Sequence, residues 1–218
     1  MVVITKRDWT FIAIANVVAL GIALVSAKYA LGWMAATGSV LVSGAMLLVF
    51  CLKHSEPFFI RLFVFGVALG FAELINDTYL IDKAILIYSP GGPYVLETPL
   101  YMPFSWALLI ITNGTVAAWL YGKLGPVKSP FAMAIVSGLY IPGFEALAAK
   151  ADWWHYQNVP FWLGAPAFVV LGEALLALPL PWMSTFLARR GFAVAIGLGV
   201  VEGLVVFVTT LIALRFVG

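Results

Sequence analysis

Apolar residues run along this chain in long unbroken blocks. Seven blocks reach the roughly 20 residues that a helix needs to cross a hydrocarbon core. They are Trp9–Ala27, Gly32–Leu52, Phe58–Leu80, Leu100–Tyr121, Pro130–Ala149, Phe161–Leu187 and Gly191–Phe216. Lipid offers backbone groups no hydrogen-bonding partner, so only helices and closed barrels span it. Barrel strands alternate every second residue, and these blocks do not. The pattern therefore predicts an all-α membrane protein, a seven-transmembrane-helix bundle, with residues 1–218 forming a single transmembrane domain. In the longest connection, Ile85-Leu86-Ile87-Tyr88 and Tyr94-Val95-Leu96 flank Ser89-Pro90-Gly91-Gly92. Two apolar runs around Pro and Gly predict a short β-hairpin between helices 3 and 4.

Composition agrees with lipid as the solvent. The chain is 63% hydrophobic and 10% charged, where soluble domains carry about 25% charged residues; its mean hydropathy is +1.05. A net charge of +2 without a basic run argues against a nucleic-acid partner. The single cysteine, Cys51, allows no intrachain disulfide, and His54 and His155 lack ligands at metal-site spacing. No metal and no cofactor are expected. Lys6 and Arg7 precede an apolar stretch too long for the core of a cleavable signal.

Basic residues sort by side. Lys6, Arg7, Lys53, Arg61, Lys123, Lys128, Arg189 and Arg190 fall at one end of the predicted spans, and Lys28, Lys83, Lys150 and Arg215 at the other. The positive-inside rule then predicts a cytoplasmic N-terminus and an external C-terminus. The compartment expected is a bacterial or archaeal inner membrane, or an organelle membrane.

The acids are distributed differently. Asp8 and Glu56 belong to the basic end; the other eight lie within spans or at the far end. At about 1.5 Å of rise per residue, Glu73 and Glu202 lie roughly 16 Å from the start of their spans and Glu173 roughly 14 Å. All three are near the midplane of a core about 30 Å thick. Asp77 and Glu145 lie in the outer half. Glu73, Asn76 and Asp77, spaced i, i+3, i+4, share one helix face. An ionised carboxylate at a helix centre costs about 2.5–3.5 kcal/mol, so three isolated ones would cost on the order of 8–10 kcal/mol. No lysine or arginine is predicted at their depth. The economical arrangement is a water-containing cavity in which carboxyls share protons. A protonated carboxyl is a proton donor, the requirement of general-acid chemistry.

Aromatic residues gather near the same end. Trp153-Trp154-His155-Tyr156 follows the fifth span, and Tyr101 and Trp106 open the fourth. They fit either the interfacial belt of a membrane protein or a roof of π-faces over the acidic cavity, attractive to cations. The candidate catalytic residues are therefore Glu73, Asp77, Glu145, Glu173 and Glu202. Candidate substrate-binding residues are Asn76, Tyr101, Trp106, Asn113, Asp152, Trp153, Trp154 and Tyr156.

Seven spans and an outer hairpin resemble the microbial rhodopsins, yet the last span has no lysine for a retinal Schiff base; its buried ionisable group is Glu202. A second resemblance rests on Gly143-Phe144-Glu145, Asp152-Trp153-Trp154-His155-Tyr156, Gly164-Ala165-Pro166 and Gly172-Glu173. This stretch resembles the small integral-membrane lycopene cyclases, with their aromatic patch followed by Pro and a carboxylate. In layout it is also similar to the membrane-bound meroterpenoid cyclases. The Pro-x-Glu-Glu element of the lycopene cyclases is absent, Pro166 and Glu173 being seven apart. The resemblance implies acid-driven, cofactor-free isoprenoid chemistry, with Glu145 and Glu173 as the matching acids. The leading expectation is an intramembrane isoprenoid cyclase, hydratase or isomerase. A proton- or cation-coupled transporter and a non-catalytic lipid-binding or assembly subunit are the alternatives. The expected partners are a lipid-soluble small molecule and membrane lipids, with self-association into a homo-oligomer left open.

Overall fold

The computed structural model describes residues 3–54 and 57–218. Glu56, read as an acid of the basic end, lies outside the described residues. Among the described residues are seven helices: α1 (Lys6–Tyr29), α2 (Gly32–His54), α3 (Pro57–Asp82), α4 (Tyr101–Lys150), α5 (Ala167–Leu176), α6 (Leu180–Leu187) and α7 (Phe192–Val217). Five of them, α1 to α4 and α7, are long and apolar enough to cross a membrane; α5 and α6, bent by 42°, together make a sixth candidate. Several long apolar helices fit a multi-pass membrane protein.

The 50 residues of α4 are two helices, not one. In a straight helix residues 113 and 140 would be about 40 Å apart at 1.5 Å per residue, yet Asn113 Nδ2 donates to the Tyr140 hydroxyl at 3.0 Å. The chain folds back at Gly125, whose φ of 76° and ψ of 179° suit a residue without a Cβ. Pro126 follows, where a helix start loses nothing by lacking an N–H. The Ser129 hydroxyl donates to the Gly125 carbonyl at 2.7 Å. The two arms, residues 101–124 and 126–150, are the fourth and fifth apolar blocks.

The sixth block departs from expectation at both ends. Residues 161–166 are not helical: β5 (Phe161–Trp162) pairs with β6 (Ala165–Pro166), and α5 starts only at Ala167. Pro166 thus precedes the helix instead of kinking it. Between α5 and α6, Pro179 has no N–H to continue the ladder, and the axis bends there.

The expected local hairpin is also re-partnered. β1 (Leu86–Tyr88) pairs antiparallel with β4 (Trp154–Tyr156), Tyr88 opposite Trp154 and Leu86 opposite Tyr156. β2 (Tyr94–Val95) pairs instead with β3 (Thr98–Pro99). The loop between β1 and β2 is pressed onto the Trp33 ring. Gly91 and Gly92 have φ of 120° and 78°, and a Cβ on Gly92 would meet Trp33 Cε3 at 2.8 Å. Packing on α2 takes the turn away from a tight hairpin.

Small residues set the helix spacing around α3. A Cβ on Gly66 or Gly70 would lie 2.5 Å from the Cα of Ala107 or Pro103 on the first arm of α4. From the other side, Gly199 and Gly203 of α7 approach the carbonyl oxygens of Phe65 and Leu69. Both small-xxx-small pairs therefore pack helices backbone to backbone. Asn16 of α1 donates to Thr112 of α4 at 3.1 Å, an interhelical hydrogen bond.

The bundle has two unlike ends. The start of α3, Gly125 and the α6–α7 connection share one, where Arg61 donates to the Ala188 carbonyl at 2.5 Å. That half is filled by apolar side chains, among them Phe59, Leu62, Phe65, Met133 and Leu187. The strands β1 and β4 close the other end, over a smaller cluster of Leu80, Leu86, Trp153, Trp154 and Phe168.

Candidate functional site: an acidic cavity beneath the strands

Within the strand half lies a cavity of about 120 Å³. Glu73, Asn76 and Asp77 enter from α3, Trp106 and Glu145 from the two arms of α4, and Glu173 from α5. Thr209 and Thr210 of α7 complete one wall, and Tyr88, Trp154 and Tyr156 come from the paired strands. Four of the five predicted acids thus reach one space, with no lysine or arginine lining it. The stripe on α3 does this by periodicity alone: positions i, i+3 and i+4 face one way. Glu145 arrives only because α4 folds back at Gly125.

The carboxyls differ in what holds them. The Tyr88 hydroxyl donates to Asp77 Oδ2 at 2.5 Å, and Trp154 Nε1 donates to Glu145 Oε2 at 2.8 Å. Glu73 Oε1 accepts from Asn76 Nδ2 at 3.2 Å, and Asp77 and Trp106 stand close enough to interact with the same carboxyl; among the described residues, Asn76 Oδ1 has no hydrogen-bond partner. A buried polar atom left unpaired in a cavity this size has room for water: a site for one water needs only about 10–15 Å³. Glu173 is the one partly accessible acid of the five. Asp77 and Glu145 are therefore held by strand side chains and Glu73 by Asn76 of its own helix, while Glu173 is the acid most open to a ligand.

The remaining predicted residues separate. Glu202 and Asn113 line a second, much smaller void beside the cavity, shared with Glu173 and Trp106. Three residues expected at the site are structural instead. Asp152 is exposed, with φ of 56°, and accepts from the Ser89 hydroxyl at 2.9 Å. Trp153 donates from Nε1 to Ser26 at 2.9 Å, tying the fifth span's end to α1. The Tyr101 hydroxyl donates to the Trp153 carbonyl at 3.3 Å. The physical reason is the strand at Trp154–Tyr156: in β-structure neighbours point to opposite faces, so Trp154 and Tyr156 can share the cavity side while His155 is turned to solvent.

Tyr88, Ser137, Tyr140, Thr209 and Thr210 were not singled out by the sequence. Thr209 and Thr210 lie seven and eight residues beyond Glu202, a helical spacing that marks one face of α7. Ser137 is likewise eight before Glu145. Tyr88 carried no such sign, because its role depends on pairing with a segment 66 residues away.

Burial, with the Asp77 carboxyl next in effect, pushes the Tyr88 hydroxyl well above the ordinary tyrosine range, and burial with Glu145 does the same for Tyr156. The native state then holds these protons after the unfolded chain, titrating near 10, has lost them. Stability from this source is complete below about pH 10 and falls above it, by at most about 1.4 kcal/mol per pH unit per tyrosine. Thermal unfolding between pH 9 and 12 should show this decline, and it should be shallower in Tyr88→Phe.

Among the described residues, no three His, Cys, Asp or Glu side chains form a group able to hold a metal ion. Apolar helices of crossing length around a cavity of carboxyls and aromatic rings fit a multi-pass helical membrane protein. The chain belongs to the family described as a domain of unknown function, DUF6989, which matches residues 74–217. The matched segment contains Asp77, Glu145, Glu173 and Glu202 and begins one residue after Glu73. No curated protein and no solved structure matches the chain.

Proposed function

We propose that this protein is an integral-membrane enzyme performing acid/base chemistry on a lipid-soluble substrate, an isoprenoid that it cyclises, hydrates or isomerises. The observation that carries the reading is the convergence of Glu73, Asp77, Glu145 and Glu173 on one aromatic-lined cavity that no basic side chain enters. Glu73 or Glu173 is the proton donor. Its O–H bond breaks as a C–H bond forms on an alkene, or an O–H bond on an epoxide. Positive charge develops on carbon, facing Trp106, Trp154 and Tyr156, whose π-faces attract cations. Asp77 and Glu145, each fixed by a hydrogen bond, accept the proton released when the cation collapses to product. A 120 Å³ cavity is close to the roughly 150 Å³ that takes up benzene. It holds one end group of an isoprenoid, and the rest of the chain lies outside it.

Seven crossings follow if the two arms of α4 and the α5–α6 pair each span the bilayer. The eight basic residues then collect at the Gly125 end, which makes the N-terminus cytoplasmic and the C-terminus external. The cavity then lies in the outer half, and the core of the other half is largely apolar. This one-sidedness favours an enzyme over a transporter, which needs access from both faces.

The test is turnover of isoprenoid alkenes and epoxides by the protein in lipid nanodiscs, followed by mass spectrometry. Removing a general acid typically costs 10²–10⁴-fold in rate. Glu73→Gln or Glu173→Gln should lose about 100-fold or more. Full activity in both variants refutes the reading, and a lipid bound without conversion identifies a binding protein.

A further inference from the structure

Beside the main cavity, Asn113, Ser137, Glu173, Glu202 and Trp106 are the polar side chains in the otherwise aliphatic lining of a void of about 10 Å³. We propose that this void is a binding site for one water molecule, and that the water joins Glu202 to Glu173 as a proton reserve for the acidic cavity.

Several independent features point there. The volume is that of a single water, for which about 10–15 Å³ suffices. Ser137 is completely buried, and its hydroxyl has no partner. A helical Ser or Thr without a partner ordinarily donates to the carbonyl four residues back, as Ser105, Thr115, Ser129 and Thr185 all do. Ser137 does not. Its hydroxyl is left for something in the void, and water is the molecule that fits.

Glu202 is 2% exposed and does not line the main cavity. Gly199 and Gly203 hold the α7 backbone against α3 on either side of it. Glu173, in contrast, lines both spaces. One water between the two carboxyls makes them consecutive members of a hydrogen-bonded chain. When Glu173 has given up its proton, the water passes one of its own to the Glu173 carboxylate and takes the Glu202 proton in return. One O–H bond breaks and one forms at each transfer. Water is regenerated, Glu202 is left anionic, and no oxidant is involved.

The water site stands on geometry; the relay rests on the enzymatic reading. Two measurements on the full chain in nanodiscs separate them. The first is infrared spectroscopy of the protonated carboxyl band that Glu202→Gln removes. Ser137→Val fills the void with a methyl group and should shift this band upward, as for a carboxyl losing a hydrogen bond. Ser137→Ala should shift it less, because the water remains, and this smaller variant gives the readout if Val impairs folding. An unshifted band in both variants, or no Glu202 band at all, overturns the water site.

The second measurement is turnover. Ser137→Val and Glu202→Gln should each slow it about tenfold, and the double variant no further. Unchanged turnover in Glu202→Gln overturns the relay while leaving the enzyme reading intact. A shifted band in a protein that converts no isoprenoid overturns the enzyme reading while leaving the water site intact.

Discussion

Gly203→Leu should sharply reduce the yield of folded protein. A Cβ at this position would lie 2.5 Å from the Leu69 carbonyl oxygen and 3.1 Å from the Glu73 backbone nitrogen. Neither atom belongs to a flexible side chain, so α7 must move away from α3 to make room. Overpacking a well-filled contact costs about 1–3 kcal/mol, occasionally more. Here the cost should be at the top of that range, because the displaced atoms are helix backbone. The displacement also opens the wall behind Glu73. Size-exclusion profiles in mild detergent should show a collapse of the monodisperse fraction. Gly197→Leu is the control: it lies on the same helix with nothing within 4 Å of its Cβ, and its profile should be unchanged. A normal profile for Gly203→Leu would mean that α3 and α7 do not pack through their glycines.

On the proposed reading, in which the acidic cavity holds a lipid, Gly172→Phe should displace it without unfolding the protein. Gly172 lines the cavity from α5, one residue before Glu173, and its Cβ would meet nothing within 4 Å. A side chain added there grows into open space, so the clash falls on the ligand. Replacing a mid-helix glycine also relieves its backbone entropy penalty, about 1 kcal/mol relative to alanine, which offsets part of the strain of the larger ring. Lipid extracted from the purified variant and weighed by mass spectrometry should contain at least tenfold less of the retained species. Melting temperature should stay within a few degrees of the unmodified protein. Retention at the original level would show that the bound lipid sits somewhere other than this cavity.

The two glycines differ in what they face: the Gly199-xxx-Gly203 spacing marks Gly203 as a helix-contact position, whereas nothing near Gly172 in the sequence marks it as a cavity wall. Both occur in apolar helical stretches next to a glutamate. Gly203 abuts another helix's backbone and Gly172 abuts a cavity. That distinction exists only once α7, α3 and α5 have been brought together.

The same contrast runs through the candidate site. Glu73, Asn76 and Asp77 were readable as a unit because helical periodicity, a local property, puts them on one face. The carboxyls of Glu145 and Glu173 were readable as buried acids without basic partners, since burial follows from lipid as solvent and charge is visible in the residue list. Their arrival at the same cavity was not readable. It depends on the reversal of α4 at Gly125 and on α5 starting at Ala167. Asp152, Trp153 and Tyr101 were drawn in by proximity along the chain. In space they tie the strand end together, through bonds to Ser89, Ser26 and the Trp153 carbonyl.

By itself the sequence determined the helical character and the approximate positions of the apolar blocks, which fit lipid as the solvent. Each follows from hydrophobic length and from the impossibility of leaving backbone groups unpaired in lipid. It also determined that the acids would need a shared polar space, because isolated carboxylates in hydrocarbon are too costly. The tertiary structure decided which acids share it, which are held and which is most open to a ligand. It did so through contacts between segments far apart in the chain: β1 with β4, the folded-back arms of α4, and the glycine-mediated approach of α7 to α3. Of these, only the glycine approach leaves a local mark, its small-xxx-small spacing; the partners of β1 and of the α4 arms are set by what lies opposite, far away in the chain.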